Sequence, residues 1–206
     1  MIVGNGPVPE SAGAAIALAD RVIRFNDCHS FRPGERCDVV AVCNTGRPAR
    51  AMLQEPAWAR HPAVMAAGEI WGVRDPVFFE ALRAPLALSH PELDDFCDDG
   101  TPGFAAFAAA SGKSFRVLDA SLHHRVTAAL APFSPPSDYV VPSSGLMVIA
   151  AMLEDAPAAV IQLTGFTHQG WEGHPFAAEA RLVDSWIAAG RLQRLGMKPT
   201  TRAAQA

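Results

Sequence analysis

Strand-sized apolar runs alternate along this chain with longer, Ala-rich segments, and that alternation constrains the fold more than any single motif. The runs are Met1–Val3, Arg21–Phe25, Asp38–Cys43, Glu69–Val73, Phe115–Leu118 and Ala159–Leu163. Between and after them, helices are expected over Glu10–Ala19, Ala49–Glu55, Pro76–Leu82, Gly103–Ser111, Ser121–Ala131, Ser144–Glu154 and Pro175–Ala189. A short strand followed by a helix, repeated, builds a largely parallel sheet with helices on its faces. In the last segment Phe176, Ala180, Val183 and Ile187 recur in steps of three or four, the period of a helix laid on a sheet. The fold class expected is therefore α/β.

A chain of 206 residues, half of them apolar, can bury one sizeable core. One domain is expected over residues 1–196, with a frayed tail over 197–206, where Pro199 and small polar residues break any apolar period. The formal net charge is −4, and Lys113 is the sole lysine ahead of that tail. Binding a nucleic-acid backbone needs clustered Lys and Arg, so nucleic acid is excluded as a partner. No apolar run approaches the roughly 20 residues of a membrane span. Gly4, Asn5 and Gly6 interrupt Ile2 and Val3 too early for a secretory signal, and a cytoplasmic protein is expected. Cys28, Cys37, Cys43 and Cys97 are irregularly spaced without a CxxC pair, so they are expected to be reduced and packed, with no metal site.

Three blocks carry the candidate chemistry. The first is Ile2-Val3-Gly4-Asn5-Gly6, with Val22-Ile23-Arg24-Phe25-Asn26 behind it. Glycines at a strand end let the backbone turn and approach a ligand closely, and Asn5 adds hydrogen-bonding groups there. It is not the dinucleotide fingerprint, which needs a third glycine. Asn26 falls where a second parallel strand would end, the edge at which open α/β sheets bind ligands. Arg24 serves either that edge or an internal pairing with Asp20 or Asp38. A third strand ends in Asn44-Thr45-Gly46-Arg47, placing Asn44 and Thr45 as further candidates on the same edge.

The second block, Pro142-Ser143-Ser144-Gly145, precedes an apolar run and reads as a helix start with Ser143 as N-cap. Free backbone N–H groups at such a mouth, with the hydroxyls of Ser143 and Ser144, suit an anion such as a nucleotide phosphate. The third block is His174, with Glu179 five positions on. Pro175 keeps His174 out of helical geometry, so the histidine is expected at the N-cap. The positive helix end there favours a neutral imidazole that can act as a base. Five residues turn a helix by about 140°, so Glu179 is expected to orient a neighbouring loop rather than touch His174. His168, in a glycine-bearing loop just ahead, is placed to reach the same cleft.

In this order the blocks resemble the sialylmotifs of glycosyltransferase family 29, the animal-type sialyltransferases. Gly4-Asn5-Gly6 through Asn26 is similar to the large motif, and Pro142 to Gly145 through Leu163-Thr164-Gly165-Phe166 to the small one. His174 and Glu179 fit the very small motif, and His168 to Trp171 the short third one. The resemblance implies a modified Rossmann-like sheet that binds a CMP-activated sugar without metal or other cofactor and transfers it, with inversion, to an unknown acceptor. It implies that Asn5 and Asn26 contact phosphate and ribose and that Ser143, Ser144 and Gly145 hold the nucleotide or donor carboxylate. His168 would assist the departing phosphate and His174 would be the general base. The family's disulfide between large and small motifs has no counterpart, since Glu154-Asp155 stand where a Cys would.

The chain also resembles short bacterial proteins labelled urease operon accessory proteins, through Cys43-Asn44-Thr45-Gly46-Arg47-Pro48 and the stretch Ser89–Asp99. That resemblance implies a link to urease and an alternative function: a non-catalytic accessory protein assisting urease maturation, or a CMP-binding pseudoenzyme. The acidic stretch Asp94-Asp95-Phe96-Cys97-Asp98-Asp99 and seven histidines raise nickel as its cargo. Against nickel, no two histidines stand four apart, the spacing that would place two ligands on one helix face.

Overall fold

The structure, a computed structural model, describes residues 1–195. The expected tail over 197–206 and the last residue of the expected domain lie outside the described residues. Seven strands form one sheet: β1 (Ile2–Val3), β2 (Ile23–Phe25), β3 (Val39–Val42), β4 (Glu69–Gly72), β5 (Ser114–Val117), β6 (Ile161–Thr164) and β7 (Leu192–Arg194). Their order is β5-β4-β3-β2-β1-β6-β7, and every pairing is parallel. Among the described residues nine α-helices accompany it: α1 (Gly13–Leu18), α2 (Gly46–Gln54), α3 (Pro56–Ala59), α4 (Pro62–Ala66), α5 (Pro76–Ser89), α6 (Thr101–Ala110), α7 (Ala120–Leu130), α8 (Ser144–Asp155) and α9 (Phe176–Ala188). The architecture is the expected α/β, Rossmann-like arrangement.

Strand residues alternate between two helix layers, as the pleat requires. Ile23, Phe25, Val39 and Ala41 pack with Leu122, Val126, Leu146, Ile149, Leu182 and Val183, burying α7, α8 and α9 on one face. Val40, Val42 and Ile70 pack on the other with Met52 of α2, Trp58 of α3, Val64 of α4 and Phe104 of α6. Val3 and Val22 are closed on that second side by Val8 and Ile16.

Four elements depart from expectation. Helix α5 continues past Leu82 and through Pro85 to Ser89. Phe79 and Leu86 bury on either side of the proline, and that burial outweighs the one backbone bond the ring removes. Helices α3 and α4 occupy a stretch with no helical period, each opened by a proline at its first position, where the missing N–H costs nothing. Strand β7 has a single buried residue, Leu192, so no apolar run announces it.

The chain runs outward from β1 to β5 and then crosses back to place β6 on the other side of β1. At that reversal the connections leave toward opposite faces and open a crevice at the carboxyl ends of the strands. No described helix is long and apolar enough to cross a membrane.

Candidate functional site

The crevice between the ends of β1 and β6 is a cleft of about 360 Å³, and all three blocks border it. Gly4, Asn5 and Gly6 come from the loop after β1, and Asn26 from the end of β2. Ser143, Ser144 and Gly145 form the mouth of α8, and His168, His174 and Glu179 complete the rim and floor. A larger cavity, about 530 Å³, opens on the far side of Asn5 and Asn26 over Met52 and Trp58. It is mostly apolar, and the uncommitted polar groups gather in the cleft.

The glycines are required by the protein itself. A Cβ on Gly4 would stand 2.3 Å from the Gly165 carbonyl oxygen, and one on Gly165 would stand 2.6 Å from that of Gly4. The loops after β1 and β6 therefore touch backbone to backbone, tied by Gly4 N–H to Thr164 O and Gly6 N–H to Gly165 O, each at 2.9 Å. The expected reason for a glycine turn was approach to a ligand; the structure puts a second loop there. Gly165, with φ near +71°, is the partner that the first block's reading missed.

Each asparagine keeps part of its amide uncommitted. Asn5 donates through Nδ2 to Phe25 O at 3.2 Å and Asp27 Oδ1 at 3.1 Å, so its Oδ1 is left to accept. Asn26 does the reverse: its Oδ1 accepts from Cys43 N–H at 2.8 Å, leaving Nδ2 to donate. Asn26 sits at φ 49°, a left-handed conformation that asparagine tolerates. The Trp58 indole N–H holds its carbonyl at 2.9 Å.

At the mouth of α8, Ser143 is the N-cap, its Oγ accepting from Leu146 N–H at 3.2 Å. Glu179 on α9 accepts from both the N–H and the Oγ of Ser143, each at 2.6 Å. The carboxylate thus ties α9 to the N-cap of α8. Burial pushes the pKa of Glu179 up, against the pull of those two bonds. Ser143 is consequently spent, whereas the N–H groups of Ser144 and Gly145 and the Ser144 hydroxyl have no intrahelical partner.

His174 lies one residue ahead of the expected position, because Pro175 is the N-cap of α9. Its Nδ1 is 2.8 Å from Val141 O; a carbonyl only accepts, so Nδ1 carries the proton and Nε2 the lone pair. Burial lowers its pKa to about 4, with the charge of Arg74 adding to the effect. The helix end was expected to keep the ring neutral; desolvation does so. His168, at φ 50°, places Nε2 3.3 Å from Arg194 Nη2. A guanidinium only donates, so Nε2 accepts there, and burial first and Arg194 second lower the pKa of His168.

Three expected assignments are corrected. Asn44 is fully buried away from the cleft, its Oδ1 accepting from Arg74 N–H and its Nδ2 donating to Arg74 O and Thr101 Oγ1. Thr45 is equally buried and accepts from Arg74 Nη1 at 2.7 Å. Arg24 is internal, but its partner is Glu35 at 2.6 Å rather than Asp20 or Asp38. The acidic stretch is not an open cation trap: Asp95 pairs with Arg47 and Arg50, and Asp98 with Arg50 and Arg83. Asp99 accepts from Thr101 N–H at the start of α6. Among the described residues no three His, Cys, Asp or Glu side chains are gathered to hold a metal. The four cysteines are free and buried, as expected.

The chain is 54% identical over 198 residues to the urease operon 23 kDa accessory protein of Rhizobium meliloti (strain 1021), covering 95% of this chain and 91% of that protein. The chain belongs to that urease operon accessory protein family. No protein-family model matches it, so the resemblance to glycosyltransferase family 29 gains no support.

This family membership overturns the sialyltransferase expectation, since the near full-length relative is an accessory protein. The cleft offers hydrogen-bond donors and acceptors from Asn5, Asn26 and the mouth of α8.

Proposed function

We propose that the protein is a non-catalytic accessory protein that supports urease, and that its cleft binds a nucleoside monophosphate, CMP being the test case. The observation that carries the urease role is the 54% identity over nearly the whole of both chains. The ligand reading is supported by what the cleft leaves unspent: two N–H groups and a hydroxyl at the mouth of α8, the Nδ2 of Asn26 and the Oδ1 of Asn5. A helix mouth of this kind favours a phosphate, and the free amide groups suit a ribose or base edge. Among the described residues no Lys or Arg borders the cleft. Binding then rests on neutral donors, each worth less than a charge-assisted bond, and a Kd on the order of a millimolar to tens of micromolar is expected.

The urease role is tested by deleting the gene in its host and measuring urease activity in cell extracts. The expected result is a several-fold fall that the native chain restores in trans. Unchanged urease activity in the deletion strain, under conditions where urease is required, contradicts the role.

A further inference from the structure

We propose that Arg74 forms a second ligand site, for a small organic carboxylate with an apolar or aromatic body, in the cavity beside the cleft. This cavity holds about 320 Å³ and shares Asn26, Ser144 and His174 with the cleft as a common wall. The site stands independently of the nucleotide reading of the cleft.

The protein buries two arginines, Arg24 and Arg74, among the described residues. Arg24 has the carboxylate of Glu35 at 2.6 Å. Arg74 is 6% exposed and pairs with no carboxylate among the described residues. Its guanidinium donates through Nη1 to Thr45 Oγ1 at 2.7 Å, and the remaining N–H groups have no partner there. The nearby acids are engaged elsewhere. Asp75 accepts from Phe78 N–H at 2.9 Å as the cap of α5, and Asp95, on the cavity wall, is held by Arg47 and Arg50 at 3.0 and 3.3 Å. The positive charge is felt by its surroundings: after burial, Arg74 contributes to lowering the pKa of both His123 and His174.

The arginine is built in rather than tucked away. Asn44 grips both its backbone N–H and its carbonyl at 2.8 Å. The rings of Phe79 and Phe96 lie 4.8 and 4.4 Å from the guanidinium carbon. A buried cation with no counter-charge is costly, and an anion from outside relieves that cost. The planar fork of arginine matches a carboxylate. Phe96, Trp171, Leu93 and Pro48 supply the apolar part of the wall, with Cys43 and the Asp95-paired Arg47 completing it. Such a wall accepts an apolar body, which a carboxylate can carry and inorganic phosphate lacks.

The test uses phenylacetate and its neutral counterpart phenylacetamide, titrated separately into the native chain while the Trp171 indole N–H resonance is followed by NMR. Phenylacetate is expected to shift that resonance saturably, with the amide at least about ten-fold weaker, the difference a charge-assisted pair makes. Arg74→Met is expected to erase the acid preference, and Arg74→Lys, which keeps the charge without the fork, to retain only part of it. Equal binding of acid and amide by the native chain overturns the proposal, as does no shift of Trp171 with either probe. So does displacement of phenylacetate by an equal concentration of inorganic phosphate. The same sample titrated with CMP reads the cleft through Gly145. A CMP response with phenylacetate silent counts against the Arg74 site alone, and the reverse against the nucleotide reading alone.

Discussion

The turn after β1, Gly4-Asn5-Gly6, and the turn after β3, Asn44-Thr45-Gly46, are alike in residue type and end strands that flank β2 on one sheet edge, yet they do opposite things. After β3 another segment crosses above the strand end: Gly46 N–H donates to Asp98 O, Gly100 N–H to Asn44 O, each at 2.9 Å, and Thr45 bridges to Asp99. Every polar atom of the Asn44 side chain is then used inside the protein. After β1 the sheet order reverses and the loop after β6 packs on Gly4 and Gly6 through backbone alone, so Asn5 keeps its Oδ1 uncommitted. What separates a scaffold turn from a candidate site is whether the segments packed around it use up the asparagine's amide.

Acid is the largest expected perturbation, and one histidine lies on each side of the comparison. His123, packed near Phe78 and Phe79 on the sealed side, and His174, on the cleft wall, both have folded pKa values of about 4, against 6.5 for a free histidine. The unfolded chain binds more protons between those values, so stability is full above about pH 6.5 and is lost as pH falls toward about 4. Together they should remove on the order of 6 kcal/mol over that window. Glu179, whose pKa is raised, acts in the opposite sense, its contribution being present at low pH and lost as pH rises. Denaturant melts across this range check the slope, which His123→Phe should reduce by about half.

By mutation, the comparison breaks most visibly at Asn44. Asn44→Ala leaves the buried N–H and carbonyl of Arg74 without partners and is expected to cost about 3–5 kcal/mol, read as a lowered urea midpoint. CMP affinity of the folded fraction should be unchanged; a large loss of CMP affinity would place Asn44 in the site after all.

The smallest expected effect on stability, and the sharpest on binding, belongs to Ser144→Glu. A carboxylate in the first turn of α8 suits the helix dipole and should change stability by less than about 0.5 kcal/mol. In the cleft, however, it repels an anion, and CMP binding should disappear while the thermal midpoint holds.

Much of this molecule was legible in its sequence because the signal was local. Six of the seven strands carry apolar runs, Pro142 to Gly145 announces a cap, and Pro175 holds His174 out of its helix. What was hidden depends on distant partners. The fate of Asn44 is set by Arg74 and Thr101, and the need for Gly4 by Gly165. Arg74 itself stands in Val73-Arg74-Asp75-Pro76, where a neighbouring acid suggests an ordinary surface charge; only the fold shows Asp75 turned to its helix cap. The transferase reading failed for a different reason: short motifs in the right order resembled one family, while identity over nearly the whole chain places it in another.

Calorimetric titration of CMP into the native chain, beside Ser144→Glu, tests the central claim most directly. Saturable one-site binding in the micromolar to millimolar range by the native chain, absent from the folded variant, is the result predicted. No heat of binding at about 10 mM CMP, or equal binding by the variant, contradicts it.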